Sequence, residues 1–249
     1  MSPADNQADP DGQLVQQEVA ELAGKLSEAE DESRRRRLAR QIASLAGRSG
    51  QATRLTVRHL GASGRWLTAQ ALEMGPRVPI RSNDTIRQQN PGLQTEQMAD
   101  RLIAGAARAS AGVGAAVGAV AAVPFIPTAP LELGVETLAL VAIELKLIAE
   151  LHEVYGMPAP GSGPQRMLAY TGAWAERRGV HVTSSGLALA VGSPLRRKLE
   201  RRLLAKAGQS ALSLTPLLTG LVAGALIDHH ETRRLGTLVR GDLRTMVQS

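Results

Sequence analysis

Ala99-Asp-Arg-Leu-Ile-Ala-Gly-Ala-Ala-Arg108-Ala-Ser-Ala-Gly-Val-Gly114-Ala-Ala-Val-Gly118-Ala-Val-Ala-Ala-Val123 is an arm of small residues, and its pairing with the next segment decides the fold. A turn, Pro124-Phe-Ile-Pro127-Thr-Ala-Pro130, leads into a second arm from Leu131 to Tyr155, which stops at Gly156 with Pro158 just beyond. Glycines 114 and 118 stand four apart, one helical turn, and such spacing lets two helix backbones approach closely. The stretch 99–156 therefore reads as a close-packed helical hairpin on which the rest of the chain is organised. No segment alternates apolar and polar residues over strand length, so the expected class is all-α: a helical bundle with two Gly/Ala-rich close-packed elements and a charged N-terminal helix.

The second glycine-spaced element is 207–244, with Gly220 and Gly224 four apart. Residues 109–131 and 207–227 are free of charge, runs of 23 and 21 residues. Length alone permits a membrane span, since about 20 apolar residues cross the hydrocarbon. Three prolines cut the first run, and Pro216 with Gln209, Ser210, Ser213 and Thr215 interrupts the second. Buried helices of a soluble or peripheral domain and helices embedded in a bilayer both stay open.

Outward from the hairpin, residues 1–12 read as a disordered tail, 13–46 as one charged amphipathic helix, and 52–249 as the main all-α domain. In the N-terminal helix Val15, Val19, Leu22 and Leu26 form a stripe that resumes at Leu38, Ile42 and Leu45. Glu30/Arg34, Asp31/Arg35 and Glu32/Arg36 are spaced for i,i+4 ion pairs across the charged middle. Such a helix either docks on a partner or folds back on its own domain. The stretch 75–94 reads as irregular, Thr95 as the cap of the next helix, 165–178 as a helix, and 180–192 as a loop or short helix.

Charge is unevenly placed. The net charge is +6, but residues 1–33 carry nine acids and one lysine. Residues 165–206 carry nine bases and two acids, including a basic helix from Pro194. Arg177, Arg178, Arg196, Arg197, Lys198, Arg201, Arg202 and Lys206 are the residues expected to face an anionic surface. Nucleic acid is not favoured as a partner, because five aromatic residues in the whole chain give little for bases to stack on.

Winding Leu131–Tyr155 at 100° per residue puts Glu132, Glu136, Lys146, Glu150 and Glu153 on one arc, read as the polar face. Glu144 and His152 intrude on the apolar arc of Leu138, Val141, Leu145, Ile148 and Leu151. Asp228 and Thr232 intrude likewise on the stripe of the last helix. A buried carboxylate needs a partner, and Arg108 is the basic residue expected to supply it to Glu144 or Asp228. These residues form either a polar clamp that fixes helix register or a functional carboxylate with a shifted pKa. No metal site is expected: in Asp228-His-His-Glu231 adjacent helical residues diverge by 100°, and no metal-binding helix motif is present. There is no cysteine, no phosphate-binding glycine loop and no nucleophile elbow. No enzymatic activity, cofactor or small-molecule substrate is expected.

The Ala/Gly-rich helix, the Pro124-x-x-Pro127 turn, the helix ending in Tyr155-Gly156, and Gly220-Leu-Val-Ala-Gly224-Ala-Leu-Ile-Asp228 before a polar tail resemble the EcsC-like bacterial proteins over residues 95–246. The resemblance implies an all-helical, membrane-associated or membrane-proximal protein without established catalysis. This chain departs from it in Asp228, where a neutral asparagine-like residue is expected, and in the basic helix 194–206. The function expected is association with the cytoplasmic face of a bacterial membrane, without secretion. The alternative is an adaptor binding a protein partner, or another copy of itself, through the 13–46 helix.

Overall fold

The computed structural model describes residues 10–48, 73–121, 129–177, 180–181, 190–191 and 215–248. The elements are α1 (Pro10–Glu28), α2 (Glu32–Arg48), a 3₁₀ turn (Gly75–Arg77), α3 (Asn83–Gln89), α4 (Thr95–Ala121), α5 (Ala129–Val154), α6 (Gly163–Arg177) and α7 (Thr215–Gln248). The all-α class expected from the sequence holds. A single antiparallel pair, Val180–His181 against Ala190–Val191, stands where a loop or short helix was expected.

Helix α5 is the axis of the bundle, packed by α1, α2, α4, α6 and α7. Residues 141–150 are buried without a break, so every side of two and a half turns faces protein. A helix enclosed in this way has no solvent face. That corrects the sequence reading of a polar arc: Glu136, Lys146 and Glu150 are buried, and Glu153 is half-buried.

The expected single helix 13–46 is instead a helical hairpin, broken at Ala29–Asp31. Asp31 caps α2 by accepting from the Arg34 backbone N–H at 2.8 Å. The Arg35 guanidinium donates to the carbonyls of Ala29 at 3.0 Å and Glu30 at 2.6 Å. Both ends of the break are thereby satisfied, the orphan groups of one helix by an arginine and of the next by a carboxylate. Of the three expected ion pairs, Glu32–Arg36 forms at 3.0 Å. Glu30 pairs with Arg101 of α4 instead. The stripe Val19, Leu26, Ile42 and Leu45 is fully buried in the same core as α4 to α7, so this segment is folded back on its own domain.

Gly105 permits the close approach of α1 to α4: a Cβ there would lie 2.7 Å from the Ser27 carbonyl oxygen. That oxygen is backbone and cannot swing away. Gly105→Ala should therefore destabilise the fold by about 1–2 kcal/mol, overpacking outweighing the helix propensity gained. A melting midpoint equal to or above that of the wild type would contradict this packing.

Helices α4 and α7 run antiparallel in a register marked nearly every turn. Gly114 faces Asp228, Ser110 meets Thr232, Ile103 fills the space over Gly236, Asp100 pairs with Arg240, and Glu96 with Arg244 at 3.5 Å. Polar and charged rungs at both ends bracket the glycine contact between them.

The stretch 75–94, expected to be irregular, holds α3, whose N-cap Ser82 accepts from the Thr85 N–H at 3.3 Å. Thr95 is the first residue of α4 rather than its cap, and Gln97 reaches back to accept from the Gln94 N–H at 2.9 Å. Pro216 does not interrupt a helix, since α7 starts at Thr215, and proline in a first turn loses no hydrogen bond. Among the described residues no helix is long and apolar enough to cross a membrane. Residues 52–72, where the main domain was expected to begin, lie outside the described residues.

Candidate functional site

Three constellations could carry function: a polar clamp, a buried charge cluster and an arginine-rimmed groove. The clamp gathers most of the intruding residues. Glu144 on α5 accepts from the Trp174 indole N–H of α6 at 2.8 Å, and its other oxygen lies 3.2 Å from the Thr232 hydroxyl of α7. Thr232 also meets Ser110 of α4 at 2.8 Å. One carboxylate thus ties together four helices at a point where Ser110, Glu144, Trp174 and Thr232 are all buried. Asp228, one turn before Thr232, is buried as well, and the absent side chain of Gly114 makes room for it: a Cβ there would come within 2.6 Å of Asp228 Oδ2.

The expected cation is elsewhere. Arg108 is exposed at the surface, where its charge acts on Glu30 and His229, while the Trp174 indole and the Thr232 hydroxyl meet the Glu144 carboxylate. The reason is its phase on α4: Arg108 stands two residues before Ser110, about 200° away, so the two cannot share a face. His152 is half-buried rather than buried, its Nδ1 2.8 Å from the Ile148 carbonyl and its ring 5.0 Å from that of Tyr170. Burial pushes its pKa down.

The charge cluster escaped the sequence reading. Lys146, almost inaccessible, lies 2.6 Å from Glu150, 2.9 Å from Glu28 and 2.5 Å from the Pro79 carbonyl oxygen. Arg81 grips Glu150 from the other side, at 2.9 Å through Nε and 2.7 Å through Nη2, while the Arg81 backbone N–H donates to the same carboxylate at 3.2 Å. Burial pushes the Glu150 carboxyl up, but the hydrogen bond from Arg81 and the charges of Lys146 and Arg81 outweigh it, and its pKa is lowered. The available signal was that Lys146 and Glu150 stand i,i+4 within a stretch whose neighbours Ile143, Leu147 and Leu151 leave no solvent arc. The space beside this cluster is about 10 Å³, too small for more than a single water. It binds the segment 79–82 and α1 to α5 and offers no room for a substrate.

The groove lies between α2, α4 and α7 and encloses about 730 Å³. Its floor is made of Ala39, Ala111, Gly112, Ala115 and Ala225, and its rim carries Arg35, Arg36, Arg40 and Arg108 against one acid, Glu32. Arg35 is engaged in the α1–α2 break, and Arg36 is paired with Glu32. Arg40 and Arg108 take part in no ion pair among the described residues. Leu226 and Ile227, next in sequence to the groove residue Ala225, are 63% and 41% exposed.

Of the residues expected to meet an anionic surface, Arg177 is partly exposed and paired with Asp242. Arg178, Arg196, Arg197, Lys198, Arg201, Arg202 and Lys206 lie outside the described residues. Among the described residues no three His, Asp or Glu side chains are grouped to hold a metal ion. Compared with protein-family models, curated proteins and solved structures, the chain matches none.

Proposed function

We propose that this chain is a non-catalytic helical protein that binds the anionic surface of a bacterial membrane from its cytoplasmic side. The observation that carries the reading is the composition of one exposed face. Arg36, Arg40 and Arg108 rim the groove between α2, α4 and α7, and Leu226, next in sequence to the groove residue Ala225, is exposed. Cations for head groups next to apolar side chains for the acyl boundary are what an interfacial protein presents. Each basic residue near an anionic leaflet contributes about 1 kcal/mol. The basic stretch 194–206 adds six more cations against one acid. The EcsC-like motifs point the same way and rest on the sequence alone. The adaptor alternative is not favoured by any observation, because the apolar stripe it relied on, Val19 to Leu45, is buried in the chain's own core.

Flotation through a density gradient tests the proposal. The protein should rise with vesicles containing phosphatidylglycerol at low salt, stay down with pure phosphatidylcholine, and be released from the anionic vesicles by about 0.5–1 M salt, where the screening length falls to a few ångströms. Failure to float with the anionic vesicles at low salt would overturn it.

A further inference from the structure

We infer that the groove between α2, α4 and α7 is a binding site for one anionic lipid, its head group held by Arg40 and Arg108 and the first carbons of its acyl chain laid on the alanine floor. The inference rests on the membrane reading above and adds a discrete site to it.

Three features of the groove define the ligand. The floor is apolar, built of alanine and glycine from three helices, and the polar groups that line the groove are the arginines, Glu32 and His229. Its volume of about 730 Å³ is within the ~300–1,000 Å³ of small-ligand sites. The rim is unbalanced, four arginines against Glu32. Glu30, the other carboxylate under the influence of Arg108, is already held by Arg101.

Concentrated positive charge at a low-dielectric rim draws an anion. Guanidinium planes can grip a phosphate with two parallel hydrogen bonds, where an ammonium acts as a point charge. An acidic peptide would satisfy the rim but would place backbone polar groups on a floor without donors or acceptors, which costs free energy. A head group with an acyl chain satisfies both halves. Leu226, exposed and next in sequence to the groove residue Ala225, would rest in the bilayer from which the lipid is drawn.

The test uses dihexanoylphosphatidylglycerol below its micelle concentration, titrated into the full-length protein by calorimetry without vesicles. The wild type should show one saturable site, and glycerophosphoglycerol, the head without the chains, should bind at least tenfold more weakly. Ala115 is exposed and lines the floor, so Ala115→Trp fills the groove without disturbing the core. It should weaken lipid binding at least tenfold while the melting midpoint stays within a degree or two of the wild type. Arg40→Ala/Arg108→Ala should do the same by removing the head-group contacts.

Binding that does not saturate, equal binding of glycerophosphoglycerol, or no effect of either variant would overturn the lipid site. The membrane reading has its own readout: wild type that floats with anionic vesicles but shows no saturable lipid binding keeps the surface association and loses the site. Saturable binding without flotation keeps the site and loses the surface association.

Discussion

Glu150→Leu should lower the melting midpoint by roughly 6–20 °C, the equivalent of about 3–5 kcal/mol for removing one member of a buried charge cluster. Leucine deletes the acceptor that faces both Lys146 and Arg81 and leaves two cations against Glu28, which is 2.9 Å from Lys146 and 3.5 Å from Arg81. Lys146 cannot turn to solvent, because its whole helical segment is enclosed. The double variant Glu150→Leu/Lys146→Met should recover most of the loss, since replacing a buried pair by apolar residues of similar volume is often close to neutral. A single variant within 1 kcal/mol of the wild type, or a double variant worse than the single, would show that the cluster does not bear on stability.

The same carboxylate predicts a dependence on pH. The Glu150 pKa is lowered in the folded protein. The unfolded chain therefore binds this proton first, and the contribution of Glu150 is complete above the unfolded value of about 4.3 and is lost as pH falls below it. His152, also lowered, acts in the same direction from about pH 6.5 downward. Acid unfolding monitored by circular dichroism should be less steep below pH 4.5 in the double variant than in the wild type.

Much of the architecture was legible because it rests on local signals. Gly156 takes a φ of +69° and Pro158 comes two residues later, which ends α5 where the sequence said it would end. The spacing of Asp228 and Thr232 with Leu235, Val239 and Leu243 correctly placed all five on the buried side of α7. The helical phase of 138–151 put Glu144 inside. What could not be read is what lies opposite each residue. The arc of Glu136, Lys146 and Glu150 looked solvated because charges on one arc ordinarily are. It is buried because the N-terminal segment folds back over α5, and that depends on a break at Ala29–Asp31 where helical i,i+4 pairs were expected. Asp31 had two uses, ion pair or cap, and the chain takes the cap. Arg108 was expected to meet Glu144 or Asp228 because it is a basic residue on the small-residue helix. Its phase relative to Ser110 excludes that, and the groove it lines needs three helices before it exists.

Glu144→Ala should cost about 2–4 kcal/mol and lower the melting midpoint by several degrees or more. It takes the acceptor from the Trp174 N–H and from Thr232 and leaves a void between four helices, and a buried donor without a partner costs about 1–3 kcal/mol by itself. Thr232→Val keeps the volume and removes one hydroxyl from the clamp, so its loss should be smaller, about 1–2 kcal/mol. The order of the two variants decides between the readings that the sequence left open for this carboxylate. A carboxylate retained for chemistry at the expense of stability would leave the alanine variant unchanged or more stable, as happens when strained functional groups are removed. A carboxylate retained to fix register makes the alanine variant the worse of the two and loosens α7 most, because Ser110–Thr232 and Gly114–Asp228 are neighbouring rungs of one α4–α7 ladder. Amide hydrogen exchange should then report faster opening of residues 225–243 than of α5 itself, whose burial is shared among several neighbouring helices.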